Sequence, residues 1–541
     1  MRGRPDSMLG ASLDGDASRD PPPSPRDARH GGTVATAARR SEAAVTAAPT
    51  DVRYGSAPGR WIILATVLGS GMAAIDATVV GIALPSIGRE FHASLAVLQW
   101  VVTSYTITLA ALLLLGGTLG DRVGRRKVFI IGVVWFSLAS AACALAGDPA
   151  ALIATRSLQG VGAALLTPGS LAILQASFAG GDRSRAIGAW SGLGGVATAA
   201  GPLLGGYLIA VASWRWIFVI NVPLGALVVW IGRRHVPESS DRAVSGGLDV
   251  PGAALAVVAL LCLSYGLIEG PTRGWTDATV LTALVCGAAA AAVFVTVERR
   301  SRAPMLPMGI FKIRRFTVTN AVTFVVYAAL GGILFLLPVQ LQVVDGYSPL
   351  EAGVSLLPLT VIMLLLSARS GQLAARIGPR LQLSVGPLGI GLGLALLGRS
   401  TTDAGYVAGV LPGVVVLGLG LAATVAPLTA TALGALPDGR AGLASAVNND
   451  VARLGGLVAV AVLPALAGIT GESYLQPAAL AAGFRSAVLI AAACCAAAGV
   501  LAAVGLRTPA AARPAVPADV MDQCFHCALD AAPLVIETPA P

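Results

Sequence analysis

Fourteen long apolar runs follow one another between Trp61 and Gly505, and they constrain the fold more than any other feature of the sequence. An α-helix rises about 1.5 Å per residue, so a run of about 18–25 residues can cross the roughly 30 Å hydrocarbon core of a bilayer. A mean hydropathy of +0.77 and a charged fraction of only 12% fit a chain that lies mostly in lipid. We therefore predict an all-α polytopic membrane protein with spans at 61–85, 97–119, 127–147, 150–176, 186–210, 216–233, 249–269, 278–298, 316–341, 350–372, 380–399, 404–434, 441–468 and 481–505.

The charged residues predict the orientation of the chain. Arg and Lys concentrate in the loops that follow even-numbered runs, which predicts a multi-pass protein of the cell membrane with these loops and both termini in the cytoplasm. The same bias explains the net charge of +9 without a nucleic acid partner. Residues 1–58 lack apolar residues to form a core, so we predict a disordered cytoplasmic tail there, and a second cytoplasmic tail at 506–541.

Two internal matches indicate that the chain is duplicated. The loop GTLGDRVGRRK at 117–127 and the segment GQLAARIGPR at 371–380 share the spacing Gly-x-Leu-x-x-Arg-x-Gly-x-Arg. Likewise, GVG at 160–162 followed by a proline matches GLG at 418–420 followed by a proline. In both matches the two copies lie too far apart in the sequence for a repeat unit of six spans alone, so two further spans must lie between the copies.

The duplication predicts how the spans are grouped. We expect an N-terminal six-helix bundle at 61–233, two inserted helices at 249–298 and a C-terminal six-helix bundle at 316–505. In repeat-built transporters the substrate site lies near the bilayer midplane, between the two repeats.

Several motifs carry a family resemblance. The stretches 117–127, LIATRSLQGVGAALLTPGS at 152–170 and GPLLGG at 201–206 resemble three signatures of the major facilitator superfamily. Together with AIDATVVGIALP at 74–85, WRWIFVINVPLG at 214–225 and the fourteen runs, they resemble the drug/proton antiporters of that superfamily. The resemblance implies a major facilitator fold, a transporter rather than an enzyme, and small amphipathic substrates and protons as partners. It implies no cofactor.

The candidate proton-coupling residues lie inside the apolar runs. Asp76 lies about 22 Å along run 1, and Arg156 about 9 Å into run 4 from the opposite side, so the two share a similar depth and can interact. A lone carboxylate at this depth costs about 2.5–3.5 kcal/mol, which leaves two interpretations: a hydrogen bond between helices, or a proton or cation site. The resemblance implicates Arg156, followed by Gln159 and Gly160, in proton coupling, and a purely structural buried ion is the alternative interpretation.

The loop at 117–127 is a candidate gate. Its mixed charges can pair with neighbouring helix ends in one state and release them in another, although a plain positive-inside loop is the alternative. Asp121 is replaced by Ala375 in the second copy, so only the first copy carries the carboxylate. The gating residues are Gly117, Asp121, Arg122, Gly124, Arg125 and Arg126.

Run 5 contains Gly201, Pro202, Gly205 and Gly206. Small residues let a neighbouring helix approach closely, and proline removes one backbone hydrogen bond. A packing kink is one interpretation. The resemblance implies an antiporter motif, which favours export over uptake.

Run 13 holds a second polar cluster. Asp450 and Arg453 lie three residues apart and either neutralise each other or leave Asp450 free as a second acidic site for a proton or a cation. As substrate-cavity residues we predict Trp100, Tyr105, Gln159, Tyr327 and Asn449.

Metal and nucleotide sites are not predicted. Cys524, His526 and Cys527 offer three ligands where a closed zinc site needs four. The pattern Gly-x-x-x-x-Gly-Lys-Ser/Thr does not occur, which argues against ATP-driven transport.

The sequence thus predicts proton-coupled efflux of drugs or other amphipathic toxic compounds by alternating access, from a protein that is a monomer. Export of one endogenous metabolite such as an antibiotic is an alternative. Proton symport and a membrane receptor without transport activity are less favoured.

Overall fold

A computed structural model of the chain describes residues 52–240, 248–301, 304–399, 405–437 and 440–506. These residues contain fourteen helices that are long and apolar enough to cross a membrane, and no β-strand. Each of the fourteen predicted runs has a helical counterpart, which confirms the predicted fold class. The helices are α1 Ala57–Phe91, α2 Leu95–Val123, α3 Arg125–Ala144, α4 Pro149–Ser177, α5 Gly180–Val211, α6 Trp216–His235, α7 Val250–Arg273, α8 Ala278–Arg300, α9 Arg314–Val343, α10 Pro349–Ile377, α11 Pro379–Leu397, α12 Tyr406–Leu433, α13 Gly442–Leu466 and α14 Pro477–Gly505.

Side-chain caps fix where several helices begin. Asp148 accepts a hydrogen bond from the backbone N–H of Ala151 at the start of α4, and Asp249 caps α7 in the same way. Ser348 and Glu351 form a complete capping box at the start of α10. In each case a proline occupies one of the first two helical positions, where its missing N–H costs nothing.

The helix pairing of α1–α6 recurs among α9–α14. The pairs α2/α4, α3/α4, α1/α5, α3/α6 and α1/α6 pack together in the first half. The corresponding pairs, each numbered eight higher, pack together in the second half. The two matched glycine pairs occupy matched places: Gly162 of α4 packs on the backbone of α3 at Phe136, and Gly420 of α12 packs on the backbone of α11 at Ile390. The duplicated spacing in the sequence therefore corresponds to duplicated packing.

The inserted hairpin packs on one side of this arrangement. Helix α7 contacts α8, α2 and α13, so it bridges one helix of each half. The division of the chain at residues 61–233, 249–298 and 316–505 stays a prediction.

The two halves meet at the end of the helices opposite to the loop 117–127, which we call the arginine-poor end. Four donors connect the halves there. The Gln99 amide donates to the carbonyls of Val460 (2.6 Å) and Ala461 (3.3 Å). The other three are the Gln342 amide to the Ile82 carbonyl at 3.0 Å, the Leu95 N–H to the Gly471 carbonyl at 2.9 Å, and the Tyr474 hydroxyl to the Ala93 carbonyl at 2.6 Å.

Apolar side chains also pack between the two halves at the arginine-poor end, and together with the hydrogen bonds they form the seal between the halves. The largest cluster of buried side chains includes residues from the ends of α1 and α2 in the first half and from α9, α13 and α14 in the second. Tyr474 is fully buried in it, and this burial raises the pKa of its hydroxyl to about 12.

Candidate functional site

Three polar side chains from two helices form a closed cluster inside the first half. Arg156 of α4 donates from Nη1 to Asp76 Oδ2 of α1 at 2.5 Å and to Gln159 Oε1 at 2.6 Å. The Gln159 amide returns to Asp76 Oδ1 at 2.8 Å and also donates to Ser140 Oγ of α3 at 3.1 Å. None of the three is more than 1% exposed. The predicted interaction between Asp76 and Arg156 is therefore present, and Gln159 completes it.

The surroundings of this cluster shield it from solvent. The guanidinium of Arg156 lies 4.4 Å from the centre of the Tyr105 ring, and its Nε donates to the Val101 carbonyl at 3.2 Å. Tyr105 is itself only 3% exposed. Two buried charges are stable only when they are paired and hydrogen-bonded, and both conditions hold here.

The loop 117–127 is ordered by its own charges and by the chain that follows α6. Gly124 has a φ of +123°, a conformation that favours glycine and allows α2 to end and α3 to begin within one residue. Asp121 accepts a hydrogen bond from Arg125 Nε at 2.7 Å. Arg125 is the first residue of α3, so this bond joins the end of α2 to the start of α3.

Glu238 is the main residue that sequence analysis missed at this loop. Its carboxylate accepts hydrogen bonds from the backbone N–H groups of Arg126 (3.0 Å) and Lys127 (3.1 Å), which satisfies the first turn of α3. Arg126 in turn donates from Nη1 to the Val236 carbonyl at 3.1 Å. The signal in the sequence was a proline followed by a single acidic residue just after α6, and nothing in that pattern points to a partner 112 residues away.

The glycines of 201–206 lie between α1 and a helix of the other half. A Cβ on Gly206 would lie 2.6 Å from the Pro349 carbonyl oxygen and 2.7 Å from Leu350 Cα, both on α10. Gly353 of α10 lies equally close to the Pro202 carbonyl. On the opposite face of α5, Gly201 and Gly205 pack on Thr78 and Val79 of α1. These residues thus take part in the contact between the halves as well as in packing within the first half.

A sequence profile of the Major Facilitator Superfamily matches residues 66–460. The chain belongs to this superfamily. Its relatives include the tetracenomycin C resistance and export protein of Streptomyces glaucescens, 37% identical over 409 residues, which are 75% of each chain. The multidrug resistance protein Stp of Mycobacterium tuberculosis is 37% identical over 416 residues, 77% of each chain.

Solved structures support the fold. A bacterial homologue of the lysosomal transporter Spinster matches with a TM-score of 0.60 and 18% identity over 84% of this chain and 100% of that one. The human organic anion transporter MFSD10 matches with a TM-score of 0.55 and 17% identity over 83% of this chain and 100% of that one. The chain is accordingly a multi-pass major facilitator protein built like known transporters.

Within this fold, Asp450 and Arg453 form no direct ion pair, and both interpretations of them, mutual neutralisation or a second acidic site, stay predictions. Among the described residues neither takes part in an ion pair within 4 Å, although they lie one turn apart on α13. Asp450 Oδ1 and Arg453 Nε are both buried without a hydrogen-bond partner. The neighbouring Asn448, by contrast, donates to Thr323 Oγ1 of α9 at 2.8 Å.

The predicted cavity residues lie in different places. Tyr105 and Gln159 belong to the buried cluster described above, and Trp100 contacts α7, where its Nε1 donates to Glu269 Oε1 at 3.3 Å. Trp100 therefore packs on the inserted hairpin, because α7 covers that face of α2. Tyr327 is half-buried on α9 and Asn449 is exposed on α13, so their role in binding substrate stays a prediction.

The residues considered for metal binding, Cys524, His526 and Cys527, lie outside the described residues. In the described part of the chain, no three His, Cys, Asp or Glu side chains are grouped so that they can hold a metal ion.

Proposed function

We propose that this protein is a proton-coupled exporter of amphipathic drugs or other toxic small molecules, working by alternating access. The observation that carries the proposal is the buried Asp76–Arg156–Gln159 cluster, in which one carboxylate with an ionisable proton site is held deep inside a membrane-spanning bundle. Ionisable residues at such a position in transporters mark proton or substrate pathways. The names of relatives that confer resistance or export antibiotics support the choice of substrate class.

The cluster suggests how a proton does work. When Asp76 is ionised it accepts hydrogen bonds from both Arg156 and Gln159, which ties α1 to α4. Arginine is always protonated in proteins, so the carboxylate is the group that takes up a proton. Protonation removes the charge that Arg156 needs, and the tie between the two helices weakens. Proton binding thus changes the relative free energies of two arrangements of the first half, which is what coupling requires.

The contacts at the arginine-poor end correspond to the closed gate of this cycle. We infer that this end faces outward, because Arg and Lys concentrate in the loops at the other end. The described arrangement is then the state closed to the outside. The same bias supports the cytoplasmic membrane as the location and a cytoplasmic position for both termini. The substrate and the proton are the proposed partners of a protein that works as a monomer.

Reporter fusions test this orientation. A reporter fused after Arg242 or after Arg507 is expected to give a cytoplasmic signal, since both positions follow even-numbered spans. Alkaline phosphatase and green fluorescent protein fusions at the two sites measure it, with a fusion in the loop between α1 and α2 as the external control. An external signal at either site contradicts the fourteen-span topology.

Export of a single endogenous metabolite is the second candidate. It is favoured by relatives named for one compound each: tetracenomycin C, puromycin and methylenomycin A. The number of exported compounds separates the two candidates.

Everted membrane vesicles test the function directly. With an imposed pH gradient, acid inside, they are expected to accumulate several lipophilic cations and antibiotics and to release them when the gradient is collapsed. Accumulation of one compound only favours the second candidate. Vesicles that accumulate nothing in the panel, or accumulate equally without a gradient, contradict proton-coupled export.

The gating loop gives a further prediction. Asp121→Asn removes the carboxylate that pairs with Arg125, while Ala375, its counterpart in the second copy, is exposed and carries no charge. We expect Asp121→Asn to reduce the transport rate several-fold at unchanged protein level, and Ala375→Asn to leave it within experimental error. Vesicle uptake normalised to immunoblot intensity measures both. Equal tolerance of the two changes argues that the loop serves topology alone.

A further inference from the structure

Four unpartnered polar atoms lie on α2 and α13, two helices from different halves that pack against each other. On α2 they are the hydroxyls of Ser104 and Tyr105, and on α13 they are Asp450 Oδ1 and Arg453 Nε. Each is buried and has no hydrogen-bond partner. Most buried polar atoms in folded proteins are paired, and leaving one unpaired is costly, so four on one facing pair of helices call for an explanation.

The two helices bring Ser104, Tyr105 and Arg453 to a similar depth, and Asp450 lies about one helical turn further along α13. They are antiparallel and are joined by the hydrogen bonds from Gln99 to the Val460 and Ala461 carbonyls. From that contact towards the arginine-rich loops, Tyr105 is about 9 Å away along α2 and Arg453 about 11 Å away along α13. The unpartnered groups thus belong to the two helices that join the halves at this contact.

The two charged side chains of α13 lie one turn apart but form no direct ion pair. Asp76 is already paired with Arg156, behind the ring of Tyr105. Among the described residues, Arg453 has no acidic side chain within 4 Å, and Asp450 has no basic side chain within 4 Å. A guanidinium binds carboxylates through two parallel hydrogen bonds, and such charge-assisted bonds are about twice as strong as neutral ones.

We propose that Arg453 and Asp450 form a substrate subsite that selects amphipathic molecules carrying an ionised acidic group, carboxylate or phenolate, together with a cationic or hydrogen-bond-donating group. The acidic group binds Arg453, and the donor binds Asp450. The hydroxyls of Ser104 and Tyr105 complete the site from the opposite helix. This inference rests on the proposed export function. It adds the requirement for an acidic group, which a simple lipophilic cation lacks.

A matched pair of dyes tests the proposal. Rhodamine B carries a free carboxylate beside its cationic ring system, and its ethyl ester carries the same ring system without the acid. In everted vesicles with a pH gradient, wild-type protein is expected to transport rhodamine B with a KM about tenfold lower than that of the ester.

Three variants locate the preference. Arg453→Gln is expected to raise the KM of rhodamine B about tenfold and to leave that of the ester nearly unchanged, while Arg453→Lys keeps most of the preference. Arg485→Gln, at an exposed arginine of α14, is the matched control and is expected to change neither. Retained transport of the ester shows that each variant is folded.

The outcomes are distinguishable. A wild-type protein that transports both dyes with equal KM, or prefers the ester, overturns the subsite without any variant being needed. An Arg453→Gln protein that loses both dyes equally also overturns it, because the arginine then supports the fold rather than the acid. Vesicles that accumulate neither dye nor any other compound overturn the export function itself.

Discussion

Replacing Asp76 with asparagine is expected to reduce gradient-driven export to the background of vesicles without the protein. The amide keeps the size of the side chain but has no ionisable proton site, so protonation can no longer alter its bond to Arg156. Exchange of substrate across the membrane without a proton gradient is expected to continue, since alternating access itself needs no titration. Uptake driven by a pH gradient and counterflow of labelled substrate, measured on the same vesicles, separate the two.

From the structure, Asp76→Asn is also expected to lower the stability of the protein. Asp76→Asn leaves Arg156 charged, buried and without its counter-ion, and breaking a buried pair in this way costs about 3–5 kcal/mol. The single variant is therefore expected to be markedly less stable than wild type. In the double variant Asp76→Asn/Arg156→Gln the charge is gone as well, so we expect much of the stability to return while proton-driven export stays absent.

Thermal unfolding of the purified proteins checks the stability, and the double variant is the control for folding. Near-normal export against a gradient by either variant shows that Asp76 is not the coupling residue. Asp450 is then the next acid to test, because its Oδ1 is buried inside α13 without a hydrogen-bond partner.

The fourteen helices could be predicted because lipid imposes a simple rule on length and polarity. Their ends could not, because helices continue beyond the apolar run both with and without a side-chain cap. Helix α5 begins at Gly180 and α14 at Pro477, each several residues before the apolar run starts. In α1 the Ser56 cap sets the start at Ala57.

Some contacts of the candidate site could be predicted from the sequence and others could not, and the reasons are physical. Asp76 and Arg156 were correctly paired because depth in the membrane follows from counting residues along two straight helices. The relation of Asp450 to Arg453 was open because spacing along one helix brings side chains near each other but does not set their direction. Glu238 was missed because a loop residue's partner depends on how distant segments meet.

The close contact between α5 and α10 leads to the second large expected effect. A Cβ on Gly206 would lie 2.6 Å from the Pro349 carbonyl oxygen, which is closer than such atoms approach, so Gly206→Ala must push α5 and α10 apart. Gly192 lies on the same helix, and a Cβ added there has no atom within 4 Å. Gly192→Ala is therefore the matched control, because the same substitution meets no neighbour.

Gly206→Ala is expected to destabilise the seal between the halves by about 1–3 kcal/mol, which shifts the equilibrium away from this state about 5- to 150-fold. Transport then slows strongly, because the cycle must pass through the sealed state. Hydrogen–deuterium exchange of the peptide 93–99, which holds the Leu95 N–H bonded to the Gly471 carbonyl, reports the opening. We expect faster exchange in Gly206→Ala and wild-type exchange in Gly192→Ala. If both variants transport and exchange like wild type, the contact between α5 and α10 is not part of the gate.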